Sequence, residues 1–169
     1  LEVAIGYSED FNEHVFTFAN NINTPDGGTH LSGFRAALTR ALNDYAKKYD
    51  LLKTIPAGIS GDDTREGLTA VVSVKLSEPQ FEGQTKSKLG NPEIKGFVET
   101  TLGTQLGAYL EEHPKDARRI IEKSVLSAKA RLAARAARET VIRKGALDGM
   151  TLPGKLAYCS SRNPAESEL

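Results

Sequence analysis

Apolar and polar residues alternate in three stretches of the chain, which is the pattern of half-buried β-strands. The stretches cover residues 1–7, 15–19 and 68–76, and the third alternates most cleanly. A polar turn at residues 9–12 separates the first two, so we predict that these two form a hairpin. The side chains predicted to face inward from the first and third strands are Val3, Ile5, Tyr7, Leu68, Ala70, Val72, Val74 and Leu76.

Two further stretches repeat apolar residues at helical spacing. One covers residues 30–49, with Thr29 as its predicted N-cap. The other covers residues 94–112 after an Asn91-Pro92 start, although internal glycines weaken it. The buried stripe predicted for the first helix is Leu31, Phe34, Leu38, Ala41 and Tyr45.

The longest predicted helix covers residues 114–144, from Pro114 in its first turn to Gly145 as its C-terminal cap. At 1.5 Å per residue it would be a rod of roughly 45 Å. Its apolar stripe is narrow and most of its charge is positive, which favours transmission of a displacement over enclosure of a pocket. The predicted stripe is Ile121, Val125, Ala128, Leu132 and Ala136, and the cations are Arg118, Arg119, Lys123, Lys129, Arg131, Arg135, Arg138, Arg143 and Lys144.

The order strand, strand, helix, strand, helix, helix predicts an α+β fold with helices packed on one face of a β-sheet. Residues 50–66 and 77–90 are predicted to be surface connections, and an irregular tail follows Gly149. The chain starts within an alternating strand pattern, so we expect it to be a piece of a longer protein.

Composition narrows the class of protein but not its function. Of the 169 residues, 39% are hydrophobic and 26% charged, as in soluble globular domains, and the formal net charge is zero. Global charge therefore predicts neither a nucleic acid nor a membrane as partner, although the cluster of cations in residues 118–144 leaves a phosphate-facing surface open. The single cysteine, Cys159, and the lack of any apolar run near 20 residues predict a cytoplasmic location.

Residue spacing alone indicates few candidate catalytic or binding sites. His14, His30, His113 and Cys159 are scattered without ligand spacing, so we expect no metal site. Gly27-Gly28-Thr29 could present backbone amides to an anion, but such steps are more often ordinary turns into a helix. Lys86 lies in a glycine-flanked loop, where it is either a point charge for a phosphate or a solvated lysine. The basic helix is either a nucleic-acid contact or a solvated face, and residues 115–155 contain no aromatic side chain for base stacking.

Eight blocks in fixed order carry a more specific signal. The blocks are NNIN (20–23), GGTH (27–30), GFRAALTR (33–40), GDDTREGL (61–68), QTK (84–86), ARAARE (134–139), RKGAL (143–147) and LPGKLA (152–157). Together they closely resemble the ATPase-bearing subunit of the bacterial type IIA DNA topoisomerases, in particular the DNA gyrase B family. The resemblance covers essentially the whole chain.

The resemblance implies that the chain is a transducer domain, which lies between a nucleotide-binding domain and a cleavage (Toprim) domain. It implies a mixed sheet with a left-handed βαβ crossover through the helix at residues 30–49, against the usual right-handed preference. The implied division is a transducer at residues 1–112, truncated at its start, a long helix at 113–149 and a linker at 150–169. Neither flanking domain's motifs occur, so we expect the isolated chain to be inactive.

The resemblance also implies roles for single residues. Gln84 and Lys86 match a loop that contacts the γ-phosphate of ATP, with Lys86 also catalytic, while ATP and its Mg²⁺ would be held mainly by the absent nucleotide-binding domain. Arg35 matches a position facing the hole of a closed dimer through which duplex DNA passes, and Arg40 ranks below it. The implied partners are duplex DNA, the gyrase A protein and a second copy of the gyrase B protein, in an A2B2 complex.

Two other functions stay open from the sequence. The chain could belong to topoisomerase IV, which decatenates DNA, although the RKGALD run (143–148) favours gyrase. It could also be a stand-alone nucleic-acid-binding α+β module that uses its basic helix, which would show duplex affinity with a steep salt dependence.

Overall fold

A four-stranded mixed sheet forms the frame of the protein in the computed structural model, which describes residues 1–55 and 58–148. Its strands, in chain order, are β1 (Glu2–Tyr7), β2 (His14–Ala19), β3 (Ile22–Asn23) and β4 (Leu68–Val74). In space the order is β1-β4-β2-β3, with β4 antiparallel to β1 and parallel to β2.

The predicted hairpin of the first two strands is therefore wrong. Val72 on β4 lies between Val3 on β1 and Thr17 on β2, so the two strands pair with β4 and not with each other. β4 takes the central place because its inward side chains are almost wholly buried, and a strand with neighbours on both sides satisfies all its backbone groups. A local turn pattern at residues 9–12 carries no information about this distant partner.

A two-residue turn that the hydrophobic pattern did not predict joins β2 to β3. Asn20 and Asn21 have φ values of 48° and 64°, the left-handed pair that a type I′ hairpin turn requires and that asparagine tolerates. The Asn20 side chain also exchanges hydrogen bonds with the backbone of Leu76, beyond the end of β4.

Helix α1 (Thr29–Lys48) carries the predicted apolar stripe on its buried side, with Phe34 and Leu38 fully enclosed. The predicted capping role of Thr29 is wrong. Gly28 is the N-cap, no side chain caps the helix, and the buried Thr29 hydroxyl has no hydrogen-bond partner among the described residues. The backbone at Gly28 turns through φ 131° and so places Thr29 inside the first turn.

The predicted surface connections contain short elements. Helix α2 (Gly61–Arg65) begins with a capping box, in which Ser60 and Asp63 each bond the other's backbone amide. Strands β5 (Phe81–Glu82) and β6 (Lys88–Leu89) form a small antiparallel hairpin. The capping box has a sequence signature, Ser-x-x-Asp, which the prediction of a plain surface connection overlooked.

Two helices follow, α3 (Pro92–Glu112) and α4 (Pro114–Asp148). The start of α3 at Asn91-Pro92 is confirmed. The predicted end of the last helix at Gly145 is wrong, because helical backbone continues to Asp148, and a glycine within a helix costs only about 1 kcal/mol. The predictions for Cys159 and for residues 149–169 lie outside the described residues.

The core lies between one face of the sheet and the helices, mainly α1 and α3. The two helices approach closely at Gly33, where an added Cβ would lie 2.5 Å from the carbonyl oxygen of Lys95. The predicted combination of a mixed β-sheet with packed helices is thus confirmed. Residues 1–130 form one compact unit that contains this core, and the chain from Arg131 on is a second unit, described only as helix to Asp148. Within the described ranges, no helix has the length and apolar character needed to cross a membrane.

Candidate functional site

The turn between β5 and β6 presents the two predicted nucleotide-sensing side chains. Gln84 and Lys86 are both exposed on it. Lys86 has a φ of 54°, an uncommon conformation for a residue with a side chain. Its ammonium lies 5.9 Å from the centre of the Phe81 ring. Lys88, on the same hairpin, is instead paired with Glu82 at 2.9 Å.

The base of this hairpin is bonded to the segment that begins α1. The amide of Asp26 donates to the carbonyl of Ser87, and the amide of Leu89 donates to the carbonyl of Gly27, both at 3.0 Å. Gly28 pairs with Leu89 so closely that a Cβ on Gly28 would lie 2.2 Å from the Leu89 carbonyl oxygen. Only glycine fits here, so the GGTH block allows the β5–β6 hairpin to pack closely against the start of α1. The alternative of an anion-binding turn finds no support in these contacts.

A buried polar cluster lies under the start of α1. Thr17 donates its hydroxyl to the carbonyl of Thr24 at 2.7 Å, and the Thr24 hydroxyl lies 3.1 Å from Nε2 of His30. His30 is fully buried and its Nδ1 has no hydrogen-bond partner among the described residues. Burial lowers the pKa of His30 from 6.5 to about 4, so the imidazole is neutral at pH 7.

Arg35 lies on α1 and contacts Glu13, the residue before β2. Its Nη2 and Nε donate to Oε1 of Glu13 at 2.7 and 3.1 Å. The other carboxylate oxygen of Glu13 accepts from Nε of Arg65 on α2 at 3.2 Å. Arg65 also reaches Asp62 through Nη2 at 2.5 Å.

Arg40, the second residue predicted to face DNA, lies elsewhere on α1. It pairs with Glu99 on α3 at 2.5 Å and is 67% exposed. Five residues along a helix correspond to a rotation of about 140°, so Arg35 and Arg40 point in well-separated directions.

Gln84 and Lys86 therefore lie exposed on one turn, whereas Arg35 and Arg40 point in well-separated directions on α1. The structure adds two residues that the sequence patterns did not single out, Glu13 and Arg65. Arg65 lies in the GDDTREGL block, so the block's presence was a signal for it, whereas nothing in the sequence indicates that Glu13 lies between the two arginines.

A groove within the residues 1–130 unit has a volume of about 1150 Å³ and lies beside β1, α3 and the start of α4. Val3, Ile5 and Leu106 are among its apolar lining residues, and none of the predicted site residues lines it. In residues 1–55 and 58–148 no group of three or more histidine, cysteine or acidic side chains could hold a metal ion.

Comparison with known sequences gives one consistent family. A sequence model described as DNA gyrase B matches residues 1–140. The DNA gyrase B protein of Myxococcus xanthus is 58% identical over the whole chain, which covers 21% of that protein. The corresponding protein from Clostridium acetobutylicum is 53% identical, and the chain covers 26% of it. The chain thus spans about a fifth to a quarter of the length of these curated relatives.

Comparison with solved structures points the same way. The 43K ATPase domain of Thermus thermophilus gyrase B, solved with an aminocoumarin, superposes with a TM-score of 0.75 at 48% identity, over 82% of this chain and 37% of that one. The topoisomerase IV ATP-binding domain of Francisella tularensis, solved with a small-molecule inhibitor, gives a TM-score of 0.69 at 32% identity, over 77% of this chain and 36% of that one.

Proposed function

Because this chain belongs to the DNA gyrase B family, we propose that it is the transducer of an ATP-dependent type IIA DNA topoisomerase. In this proposal it senses the γ-phosphate of ATP and couples nucleotide-driven closure of a protein dimer to DNA strand passage and negative supercoiling. The observation that carries the proposal is the attachment of the Lys86 hairpin to the start of α1, the helix that also bears Arg35.

Lys86 acts as a point charge toward the terminal phosphate of a nucleotide held by another domain. Its exposure at the end of a tight turn suits this role, since an ammonium on a flexible stem can enter a neighbouring site. Gln84, exposed on the same turn, would donate its amide to the same phosphate. The contact exists only while that phosphate is present, so it stabilises one of two arrangements of the protein.

Lys86 also stabilises the charge that develops on the phosphoryl oxygens during hydrolysis, which makes it a catalytic residue. ATP and Mg²⁺ would be bound mainly outside this chain. The residues present fit only the terminal phosphate, because Gln84 and Lys86 supply a cation and an amide but no carboxylate ligands for a metal.

The link from nucleotide to DNA runs through α1. Movement of the hairpin is passed to Gly27 and Gly28 by backbone hydrogen bonds, and α1 is rigid because its buried side packs on the sheet and on α3. Arg35, two turns along the helix, would then face the duplex DNA. Arg40 stays a weaker candidate, since its pairing with Glu99 directs it toward α3.

The proposal includes the finer architecture and the partners implied by the family. The βαβ crossover from β2 through α1 to β4 is left-handed, the transducer is residues 1–112, the long helix is 113–149, and the linker is 150–169. The partners are duplex DNA, the gyrase A protein and a second copy of the gyrase B protein, in an A2B2 complex in the cytoplasm. The isolated chain would be inactive in ATP hydrolysis and in DNA cleavage.

The second candidate is the ATPase component of topoisomerase IV. The higher identity to a gyrase B structure than to a topoisomerase IV structure, 48% against 32%, favours gyrase. The complete enzyme decides between them, because gyrase introduces negative supercoils into relaxed plasmid whereas topoisomerase IV only relaxes and decatenates. A stand-alone nucleic-acid module would instead require tight, salt-dependent duplex binding by the 169-residue chain alone.

The first test replaces the proposed sensor. Lys86→Gln in the complete gyrase B protein removes the charge, and we expect ATP hydrolysis to fall at least about 100-fold, with folding unchanged by circular dichroism. Lys88→Gln is the matched control, because it removes a lysine from the same hairpin that is paired with Glu82. Near-normal turnover in Lys86→Gln, or an equal loss in both variants, would contradict the role of Lys86.

The second test concerns the DNA side. Arg35→Gln is expected to reduce DNA-stimulated ATP hydrolysis more than DNA-independent hydrolysis, since only the former needs the duplex. Lys53→Gln serves as control, because this exposed lysine makes a local ion pair with Asp50. Equal loss of both activities in Arg35→Gln would indicate that Arg35 is needed for packing.

A further inference from the structure

Glu13 bridges two arginines that belong to different helices. Its Oε1 accepts from Arg35 on α1, and its Oε2 accepts from Arg65 on α2. Each carboxylate oxygen thus serves one guanidinium. A phosphodiester presents two charged oxygens in a similar fork, and guanidinium groups bind both kinds of anion in this way.

The bridge is open to solvent on one side. The Arg35 side chain is 40% exposed and Glu13 27%, whereas Arg65 is only 20% exposed. A partly exposed ion pair contributes about 1 kcal/mol or less, so a polyanion that makes further contacts can replace the carboxylate. The two arginines share one carboxylate, and the second carboxylate on Arg65, that of Asp62, is 83% exposed and screened by water.

The backbone under both arginines is fixed before any ligand arrives. The Thr39 hydroxyl donates to the carbonyl of Arg35 at 2.9 Å and lies 3.3 Å from the Thr64 hydroxyl, next to Arg65. The Tyr7 hydroxyl donates to the carbonyl of Thr64 at 2.8 Å. Burial raises the pKa of Tyr7 well above its ordinary value, so this donor stays protonated. The helices α1 and α2 are therefore held in a fixed relation.

Gly61 makes room for the Arg65 guanidinium. A Cβ on Gly61 would lie 2.8 Å from Nη1 of Arg65, so an alanine there would displace the guanidinium. Gly61 is not among the glycines with positive φ, and alanine can adopt its backbone conformation. Gly61→Ala therefore moves Arg65 without changing any charge.

We propose that Arg35 and Arg65 form one binding site for a backbone phosphate of duplex DNA, and that Glu13 occupies this site until the duplex displaces it. The inference rests on the proposed function for the placement of Arg35 toward DNA. It adds Arg65 as a second phosphate ligand and Glu13 as the internal competitor.

The internal carboxylate makes the site selective for a polyanion. A single free phosphate or nucleotide must compete with Glu13, whose tethering gives it a high effective concentration. A duplex offers a row of phosphates and gains free energy from counterion release at many contacts, so it can displace the carboxylate. Glu13 thus keeps the two arginines away from small anions.

The test uses the complete gyrase B protein reconstituted with the gyrase A protein and measures ATP hydrolysis against the concentration of a linear duplex at several KCl concentrations. Each rate of ATP hydrolysis is divided by the rate of the same variant without DNA, so that variants with different basal rates can be compared. The readout is the DNA concentration that gives half of the maximal stimulation. Lys75→Gln is the control, because this exposed lysine lies 3.8 Å from Glu2 at the far end of β4.

Removal of the Glu13 carboxylate and removal of the Arg65 guanidinium should change the half-saturating DNA concentration in opposite directions. We expect Glu13→Gln to lower the half-saturating DNA concentration roughly threefold or more, and Arg65→Gln to raise it by a similar factor. Arg65→Gln should also reduce the slope of log affinity against log salt by about one, the value for one phosphate contact. If Arg65→Gln does not fold, Gly61→Ala and Arg65→Lys decide, since Gly61→Ala should weaken DNA binding and Arg65→Lys should keep most of the salt slope.

Three outcomes would overturn the inference in distinguishable ways. If Arg35→Gln weakens the DNA response while the Arg65, Gly61 and Glu13 variants match wild type, the shared site does not exist and the proposed function stands. If Glu13→Gln weakens the response as the arginine variants do, Glu13 orients the arginines and does not occupy their site. If Arg35→Gln also matches wild type, the DNA-facing assignment in the proposed function fails as well.

Discussion

The contacts and conformations of several functional residues can be recognised only once the fold is known. The QTK block marks Lys86 in the sequence, but its positive φ and exposed position follow from a hairpin of two-residue strands that no periodicity reveals. Arg35 is marked in the sequence by its place in the GFRAALTR block. Its partner Glu13 is not, because the contact joins residues 22 positions apart across two elements whose packing the sequence does not specify.

The conformation of Lys86 predicts a conflict between stability and function. A non-glycine residue in the left-handed region costs about 1 kcal/mol or more. Lys86→Gly should therefore leave the free energy of unfolding of the chain unchanged or raise it by up to about 1 kcal/mol, while ATP hydrolysis by the complete gyrase B protein is lost. Urea denaturation and a steady-state ATPase assay measure the two effects.

Ser87→Gly is the control for that comparison, because Ser87 is next in the loop and is not among the residues with positive φ. It should lower the free energy of unfolding by about 0.5 to 1 kcal/mol through backbone entropy alone. If Lys86→Gly destabilises the chain as much as Ser87→Gly, the lysine is not strained.

His30 predicts a pH dependence of stability. Its pKa is lowered to about 4 in the folded chain, against 6.5 when unfolded. The unfolded state therefore takes up a proton that the folded state does not as the pH falls from 6.5 to 4. The contribution of the neutral imidazole to the free energy of unfolding is fully present above pH 6.5, and up to about 3 kcal/mol should be lost over that window.

The His30→Gln variant isolates this effect from the carboxylates that also titrate near the lower end of this range. The free energy of unfolding is measured in urea from neutral pH down to the folded pKa, and each protein is compared with its own value at neutral pH. Over this range the free energy of unfolding of His30→Gln should fall less than that of the wild type. A wild-type pH profile in His30→Gln would mean that the imidazole is not held neutral by burial.

At the scale of elements, the sequence predicts which segments are strands and helices much better than it predicts how they pair. Alternation located β1, β2 and β4, and helical spacing located α1, α3 and α4, because each pattern reports which face of a local segment is buried. Strand order depends on contacts between segments that are distant in the sequence, which is why the predicted β1–β2 hairpin was wrong. The junction between the β5–β6 hairpin and α1 was missed for the same reason.

Gly28 is the point at which that junction can be tested. A Cβ on Gly28 would overlap the backbone of Leu89, which cannot move without the hairpin. Gly28→Ala should therefore lower the free energy of unfolding by at least about 2 kcal/mol. It should also speed hydrogen exchange at the Leu89 and Asp26 amides, whose acceptors lie across the junction.

Gly83→Ala provides the matched comparison. Gly83 also has a positive φ, 76°, but an added Cβ there would have no heavy atom within 4 Å. It should cost about 1 kcal/mol from backbone conformation and leave exchange at Leu89 unchanged. Equal effects of the two substitutions would show that the close approach at Gly28 contributes nothing.

For the whole molecule, family membership is the property that the sequence predicts best. The ordered blocks anticipated the match to DNA gyrase B over residues 1–140, because a family's sequence pattern records long-range contacts that local periodicity does not. The chain nevertheless covers only 21% of one relative and 26% of another, so we expect nucleotide binding and DNA passage to belong to an assembly of which this chain is one part. Its proposed contribution is therefore a coupling, measurable only in that assembly.

If the chain couples ATP hydrolysis to supercoiling, breaking the coupling should give a different result from a simple loss of ATP hydrolysis. In the reconstituted A2B2 enzyme, Gly28→Ala loosens the hairpin from α1, so Lys86 can still meet the nucleotide while the movement no longer reaches the helix that bears Arg35. We expect ATP hydrolysis to persist, while the number of supercoils introduced per ATP hydrolysed falls several-fold relative to Gly83→Ala. Coupling between two binding sites is reciprocal. DNA should therefore raise the affinity for a non-hydrolysable nucleotide less than in the wild type. The nucleotide should raise the affinity for DNA less by the same factor. If Gly28→Ala lowers hydrolysis and supercoiling in proportion, the nucleotide signal reaches DNA by a route other than α1.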